Sequence, residues 1–179
     1  NKTLQIKTIK GGFETMNKNL KKVISAIAAL ALSVTSFVAM ASYPDVPDTD
    51  KHASAINELS ALGIIEGFED GTFHPDELVT RAQMAKMVVS ALNIANAESN
   101  KVQVFNDVPA DNWAAGWVAT ASTQGFINGT GNGNFDPNLN VTYEQTVKML
   151  VSACGYDTWA KEAGGYPTGY LKYGNDIGV

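Results

Sequence analysis

Gly63-Ile64-Ile65-Glu66-Gly67-Phe68-Glu69-Asp70-Gly71-Thr72-Phe73-His74-Pro75 has a counterpart 62 residues further on, Gly125-Phe126-Ile127-Asn128-Gly129-Thr130-Gly131-Asn132-Gly133-Asn134-Phe135-Asp136-Pro137. The match extends in both directions without a gap. Asp45-Val46-Pro47 falls on Asp107-Val108-Pro109, Val79-Thr80 on Val141-Thr142, Gln83 on Gln145, and Lys86-Met87 on Lys148-Met149. An ungapped match of this length means two copies of one unit, and a repeat decides the architecture before any local reading does.

Each copy reads as helix, loop, helix. Ile56, Leu59 and Leu62 recur at helical spacing, and Gly63 is placed to end that helix in a left-handed cap. The stretch Glu69 to Pro75 has turn chemistry around one aromatic to bury, Phe73. Thr80-Arg81-Ala82-Gln83 is a capping box, and Val79 with Met84 forms the hydrophobic staple across it. Met84, Met87, Val88 and Ala91 then make the inward face. In the second copy Thr142 to Gln145 repeats the box, and Val147, Leu150, Val151 and Cys154 supply the face. A third copy begins in Gly165-Tyr166-Pro167-Thr168-Gly169-Tyr170-Leu171 and reaches Ile177-Gly178-Val179 without a loop or second helix. If Gly178 is set on Gly125, Tyr166 meets Trp113 and Leu171 meets Val118. A half-unit cannot bury its apolar face alone, so the chain is expected to be a fragment of a longer protein.

The N-terminal part is set apart. From Met16 a basic start, Asn17-Lys18-Asn19-Leu20-Lys21-Lys22, leads into an apolar run from Val23 to Val38 and the exit Ala39-Met40-Ala41. That succession is a secretory signal peptide, residues 16–41. The run is diluted by serine and threonine and falls short of the roughly 20 apolar residues a spanning helix needs, so no membrane association is expected after cleavage. Residues 1–15 read as an upstream over-extension of the reading frame, because Lys10-Gly11-Gly12 is what a translated ribosome-binding site would encode. The domain expectation is therefore unit 1 at 43–98, unit 2 at 102–158 and a partial unit 3 at 159–179.

The net charge is −5, and the part ahead of Ala41 holds six of the 13 basic residues but one of the 18 acids, so the rest is more acidic still. An acidic exported domain is a poor partner for nucleic acid, whose phosphates demand a basic face. Cys154 is the sole cysteine, so no intrachain disulfide staples the fold. His52 and His74 are too isolated for a zinc site. The acids around Gly71 lack the register of a calcium loop, and the second copy has asparagines there. No metal or cofactor is expected, and nothing supplies the paired carboxylates of a glycosidase.

These units resemble the S-layer homology family, whose pattern runs aromatic-x-Asp-Val, a tryptophan before the first helix, Gly-Ile-Ile-x-Gly, Asp-Gly-Thr-Phe-x-Pro and Thr-Arg-Ala-Glu. The first unit offers Tyr43-Pro44-Asp45-Val46, Gly63 to Gly67, Asp70 to Pro75 and Thr80-Arg81-Ala82-Gln83. The second offers Phe105-Asn106-Asp107-Val108, Trp113, Gly125 to Gly129, Phe135-Asp136-Pro137 and Thr142-Tyr143-Glu144-Gln145. Gly164-Gly165-Tyr166-Pro167-Thr168-Gly169-Tyr170-Leu171 is similar to a variant third unit of clostridium-like surface proteins. The resemblance implies a mainly α fold, a pseudo-threefold bundle of helix-loop-helix units with the third truncated. It implies non-covalent binding of secondary cell wall polysaccharide, a peptidoglycan-linked glycan often carrying pyruvate ketals. It also implies no catalysis, and a location in the cell wall or S-layer of a Gram-positive-type bacterium. The ligand contacts it implies carry to Arg81, Asp45, Asp107 and Trp113. Two departures stand out: Lys51 lies opposite Trp113, and Tyr143 replaces the arginine in the second unit.

Each of these residues has two readings. Arg81 sits at the first helical position, where free N–H groups and a guanidinium would suit a carboxylate; alternatively it braces the unit through a salt bridge to Asp45 or Glu77. Trp113 offers an indole face to sugar C–H groups, whereas Trp117 reads as packing. Asp45 and Asp107 are ligands or acceptors for backbone N–H groups in a turn. Two alternatives to a bare anchor remain open: the anchor portion of a secreted carbohydrate-active enzyme, and a structural S-layer subunit, each with its main domain beyond Val179. The leader reading predicts cleavage between Ala41 and Ser42. N-terminal sequencing of protein recovered from the cell envelope should begin at Ser42, and a mature chain retaining Met16 would refute it.

Overall fold

The computed structural model describes residues 43–179. The expected leader and over-extension lie outside those residues. The described part contains six helices and no named strand: α1 Ala53–Ala61, α2 Arg81–Ala91, α3 Ala115–Thr123, α4 Tyr143–Ala153, α5 Asp157–Glu162 and α6 Thr168–Ile177. A mainly α chain of helix-loop-helix units is what the repeat required.

Both capping boxes form as their residues dictate. Thr80 accepts from the Gln83 N–H while the Gln83 side chain accepts from the Thr80 N–H, and Thr142 with Gln145 repeats both bonds. Gly63 (φ 67°) and Gly125 (φ 77°) end α1 and α3 in left-handed caps. Ile64 N–H donates to the Leu59 carbonyl and Phe126 N–H to the Ala121 carbonyl, the long bond of a Schellman motif. The second glycine of each Gly-x-Ile-x-Gly run has a different reason. A Cβ on Gly67 would collide with the Tyr43 ring and the Thr72 carbonyl, and one on Gly129 with the Phe105 ring and the Asn134 carbonyl. The aromatic that opens each unit lies close against this backbone, which fixes the loop over the start of its own unit.

Helix pairing crosses the unit boundaries. α2, from the first unit, packs on α3 from the second, and α4, from the second, packs on α6 in the stretch that follows it. α2 also contacts α4. Lying between two helices, α2 buries Ala82, Ala85 and Val89 together with Met84 and Val88, a wider belt than the single inward stripe expected. The main core gathers these with Val108, Val118, Ala121, Ile127 and Phe135. By contrast α1 has no substantial helix neighbour among the described residues. Ile56 is buried in a small cluster with Val46, Ala53 and Ile65, but Leu59 and Leu62 are 37 % and 52 % exposed. The expected inward stripe of α1 is therefore only partly buried, because no helix lies against it as α2 lies against α3.

One helix was not foreseen. α5 follows the second unit and packs against α4 and α6. It places Asp157 where its carboxylate accepts from Tyr170 Oη at 2.6 Å, lies 3.0 Å from Ser152 Oγ and pairs with Lys161 at 2.6 Å. These observations make the loop glycines sensitive to bulk. Gly129→Ala should lower stability by about 1–3 kcal/mol through overpacking against Phe105, whereas Gly131→Ala, which meets nothing nearby, should cost only its backbone strain. Urea melts of the two variants check the difference.

Candidate functional site

The loops that carry the motif residues are held by carboxylates. Asp45 accepts from the Phe73 N–H (2.9 Å) and the His74 N–H (2.7 Å). Asp107 accepts from the Phe135 N–H (2.8 Å) and the Asp136 N–H (2.7 Å), the same two bonds 62 residues on. Burial pushes the Asp45 carboxyl up, but the N–H donors of His74, Phe73 and Asp45 itself leave it below its ordinary value. In both units the start-motif aspartate ties the loop to the beginning of its own unit.

Arg81 is 4 % exposed and reaches away from its own unit. Its Nε donates to the Phe135 carbonyl at 2.7 Å and its Nη2 to the Asn128 carbonyl at 2.9 Å. The guanidinium carbon stands 4.5 Å from the centroid of the Phe135 ring. Burial pushes the guanidinium pKa down, offset in part by Asp136, Tyr166 and Asp107 nearby. The expectation of free N–H groups beside it is corrected. Arg81 N–H donates to the Leu139 carbonyl and Ala82 N–H to the Pro137 carbonyl, so the loop of the second unit fills the first turn of α2. Nor does Arg81 form a salt bridge with Asp45 or Glu77: among the described residues Glu77 pairs with His74, and the Asp45 carboxylate accepts backbone N–H groups. Tyr143, its counterpart, is 69 % exposed.

The structure thus divides the expected site residues between two places. Arg81 and Asp107 meet at the loop of the second unit, near Tyr166. Trp113 stands over the loop of the first unit, whose conformation Asp45 holds. Trp113 precedes α3 in a short turn where Asn112 Oδ1 accepts from the Ala114 N–H at 2.8 Å. Because α3 packs on α2, this tryptophan of the second unit projects beside residues of the first, and it is 50 % exposed. Between them runs a groove of about 640 Å³. Its apolar part includes Phe73 and Met87, and its rim carries Phe68 stacked on His74 with ring centroids 4.5 Å apart. Trp117 packs against the core, as its alignment with Ala55 suggested.

Sequence reasoning missed the pair Phe68 and His74. The available signal was an aromatic in a turn where the second unit has Thr130. It also missed how differently the two repeat lysines are used. Lys86 lines the groove, bonded to Glu66 at 2.6 Å. Lys148 is buried, donating to the Gly125 and Phe126 carbonyls that follow α3, and burial pushes its amine pKa down. Nothing in the local sequence separates them. No group of three or more His, Cys, Asp or Glu among the described residues could hold a metal ion, and no helix there is long and apolar enough to cross a membrane.

Removing the Arg81 side chain leaves the buried Phe135 carbonyl and the partly buried Asn128 carbonyl without this donor. Arg81→Ala should cost about 3 kcal/mol of stability, with Arg81→Lys recovering part of it, because one ammonium cannot reproduce the planar fork. Denaturant unfolding checks both; wild-type stability in Arg81→Ala would show that the two bonds do not brace the unit boundary.

The sequence model of the S-layer homology domain matches the chain twice, over residues 42–85 and 104–147. The chain is 36 % identical over 169 residues to a cell surface protein of Thermoanaerobacter kivui, covering 90 % of this chain and 22 % of that protein. It is 36 % identical over 142 residues to an S-layer protein of Bacillus thuringiensis subsp. finitimus, covering 77 % and 17 %. It is also 32 % identical over 151 residues to an endoglucanase of Bacillus sp. strain KSM-635, covering 78 % and 16 %. The chain spans about a fifth of the length of these relatives. With two ungapped copies, the helix-loop-helix units they fold into and both family matches in agreement, the chain belongs to the S-layer homology family of bacterial surface proteins.

Proposed function

We propose that this chain holds an exported protein on the bacterial cell wall by binding secondary cell wall polysaccharide without covalent attachment. The observation that carries this reading is the half-exposed Trp113 set over a preformed groove. A tryptophan ordinarily buries most of its surface; one left open beside a stacked Phe68–His74 pair provides the flat apolar faces on which sugar rings stack. Surface location accords with the S-layer and cell surface relatives. Arg81 contributes to binding through the loop it braces, keeping Asn128, Phe135 and Asp136 in register beside Tyr166. Asp45 and Asp107 act as the clamps of the two loops. The endoglucanase relative favours a second reading, in which the same anchoring region serves a secreted carbohydrate-active enzyme. Both readings give these residues the same task and no catalysis.

The test is co-sedimentation with purified wall sacculi, with and without their secondary polysaccharide. Retention should require the polysaccharide. Trp113→Ala should weaken it roughly tenfold while remaining folded, since half of the residue already lies open to solvent outside the core. Retention independent of the polysaccharide, or unchanged by Trp113→Ala, would overturn the assignment.

A further inference from the structure

Three aromatic rings gather at the end of α4 that lies away from the loops. α4 begins where Val141 N–H meets the Val79 carbonyl and ends just before Tyr156. The Tyr156 ring centroid lies 5.6 Å from that of Trp159 on α5 and 5.8 Å from that of Tyr173 on α6. All three residues are partly exposed. Tyr156 and Tyr173 rest on the small core around Val151 and Tyr170, but Trp159 packs against none of the buried clusters, and its ring leans on Tyr156. Glu162 follows Trp159 by three residues and Asp176 follows Tyr173 by three, so each carboxylate shares a helix face with a ring. Burial, then Asp176, Tyr156 and Glu162, push the Tyr173 hydroxyl pKa up, which puts both acids within electrostatic reach of that ring. Glu162 and Asp176 are exposed and have no ion-pair partner among the described residues, where Lys161 is taken by Asp157.

The corresponding place at the first unit boundary lacks this combination. Tyr156 falls on Ile94 at the 62-residue offset, and with Gly178 set on Gly125, Tyr173 falls on Thr120 and Asp176 on Thr123. Those three line a hollow of about 410 Å³ that has no charged or aromatic residue in its walls. The rings and the acids enter together, at the second boundary. We propose that the face of Tyr156, Trp159 and Tyr173 binds the ammonium group of a lysine side chain in a peptide partner, at a site separate from the groove under Trp113. Indole and phenol faces attract a cation through the negative face of the ring, and the two free carboxylates flank them with the opposite charge. No cation of the chain takes this place: among the described residues, those standing over rings are Arg81 on Phe135 and Lys86 on Trp117. After Ala41 the chain has seventeen acids against seven basic residues, of which Arg81 and Lys148 are buried, so its field draws cationic partners toward it. A neutral sugar would use the rings alone and gain nothing from the acids.

The full mature chain tests this with three probes: a short peptide with blocked ends and one lysine, the same peptide with that lysine acetylated, and a neutral N-acetylhexosamine oligomer. Tryptophan fluorescence and NMR shifts at the three rings follow the titrations. The lysine peptide should bind, and added salt should weaken it. Acetylation, which removes the charge, should weaken it roughly tenfold or more. Trp159→Ala should lower affinity roughly tenfold. The double variant Glu162→Gln, Asp176→Asn should do the same with an unchanged thermal melt, since both side chains are exposed, and it keeps the test valid if Trp159→Ala unfolds α5. No binding of the lysine peptide, equal binding of the acetylated peptide, or unchanged affinity in the double variant overturns the site. Tighter binding of the sugar oligomer at these rings overturns it as well, by making the face a glycan surface.

Discussion

The loop of the second unit is suspended from the first turn of α2, and most of the arrangement follows from that suspension. A helix N-terminus presents N–H groups that its own turns cannot satisfy. In α2, two of them are taken by the Pro137 and Leu139 carbonyls, and Val141 N–H returns a bond to the Val79 carbonyl. Arg81 extends the same seam by two side-chain bonds and covers the Phe135 ring. Hydrogen bonds that would otherwise be lost to water instead join the two units, whose helices α2 and α3 also pack together. Trp113, just ahead of α3, stands beside the first unit through that packing.

Much of this could be read from residue order. The capping boxes and the left-handed glycines are local chemistry, decided within a few residues, and each formed where the side chains required. The two-copy organisation needed only the 62-residue offset. What local reasoning could not reach was which helix would lie beside which. Leu59 and Leu62 have the spacing of buried residues, yet their burial depends on a neighbour that the spacing does not specify. Val89 and Ala85 lie beside the stripe that the spacing marks and are nonetheless core, because α2 is enclosed on more than one side. The hydrogen-bond partners of Arg81 were out of reach for the same reason. Its position at the first helical residue was right, but its partners lie some fifty residues away in the loop of another unit.

The two repeats also show how one sequence pattern can carry different work. The start-motif aspartates behave alike in both units, each occupied by two backbone N–H groups. The lysines do not: Lys86 joins a charged rim, whereas Lys148 is withdrawn to satisfy the carbonyls after α3. Arg81 and Tyr143 diverge further, one enclosed by the following loop and the other open to solvent. A motif alignment assigns such pairs one role. Their surroundings assign them two.

The exchange of helices across unit boundaries has a consequence for how this region behaves as modular material. The sequence repeat begins at the aromatic of each unit, but the packed pair consists of the second helix of one repeat and the first helix of the next. The covalent period and the cohesive period are thus out of phase by about half a repeat. Excising one repeat at its apparent borders would separate α2 from α3 and discard the seam that holds the loop. A cut within the loop joining a unit's two helices would keep that pair together. Recombination or grafting that preserves the fold must therefore respect the phase of the contacts, and the smallest transferable piece is not the unit that the sequence displays.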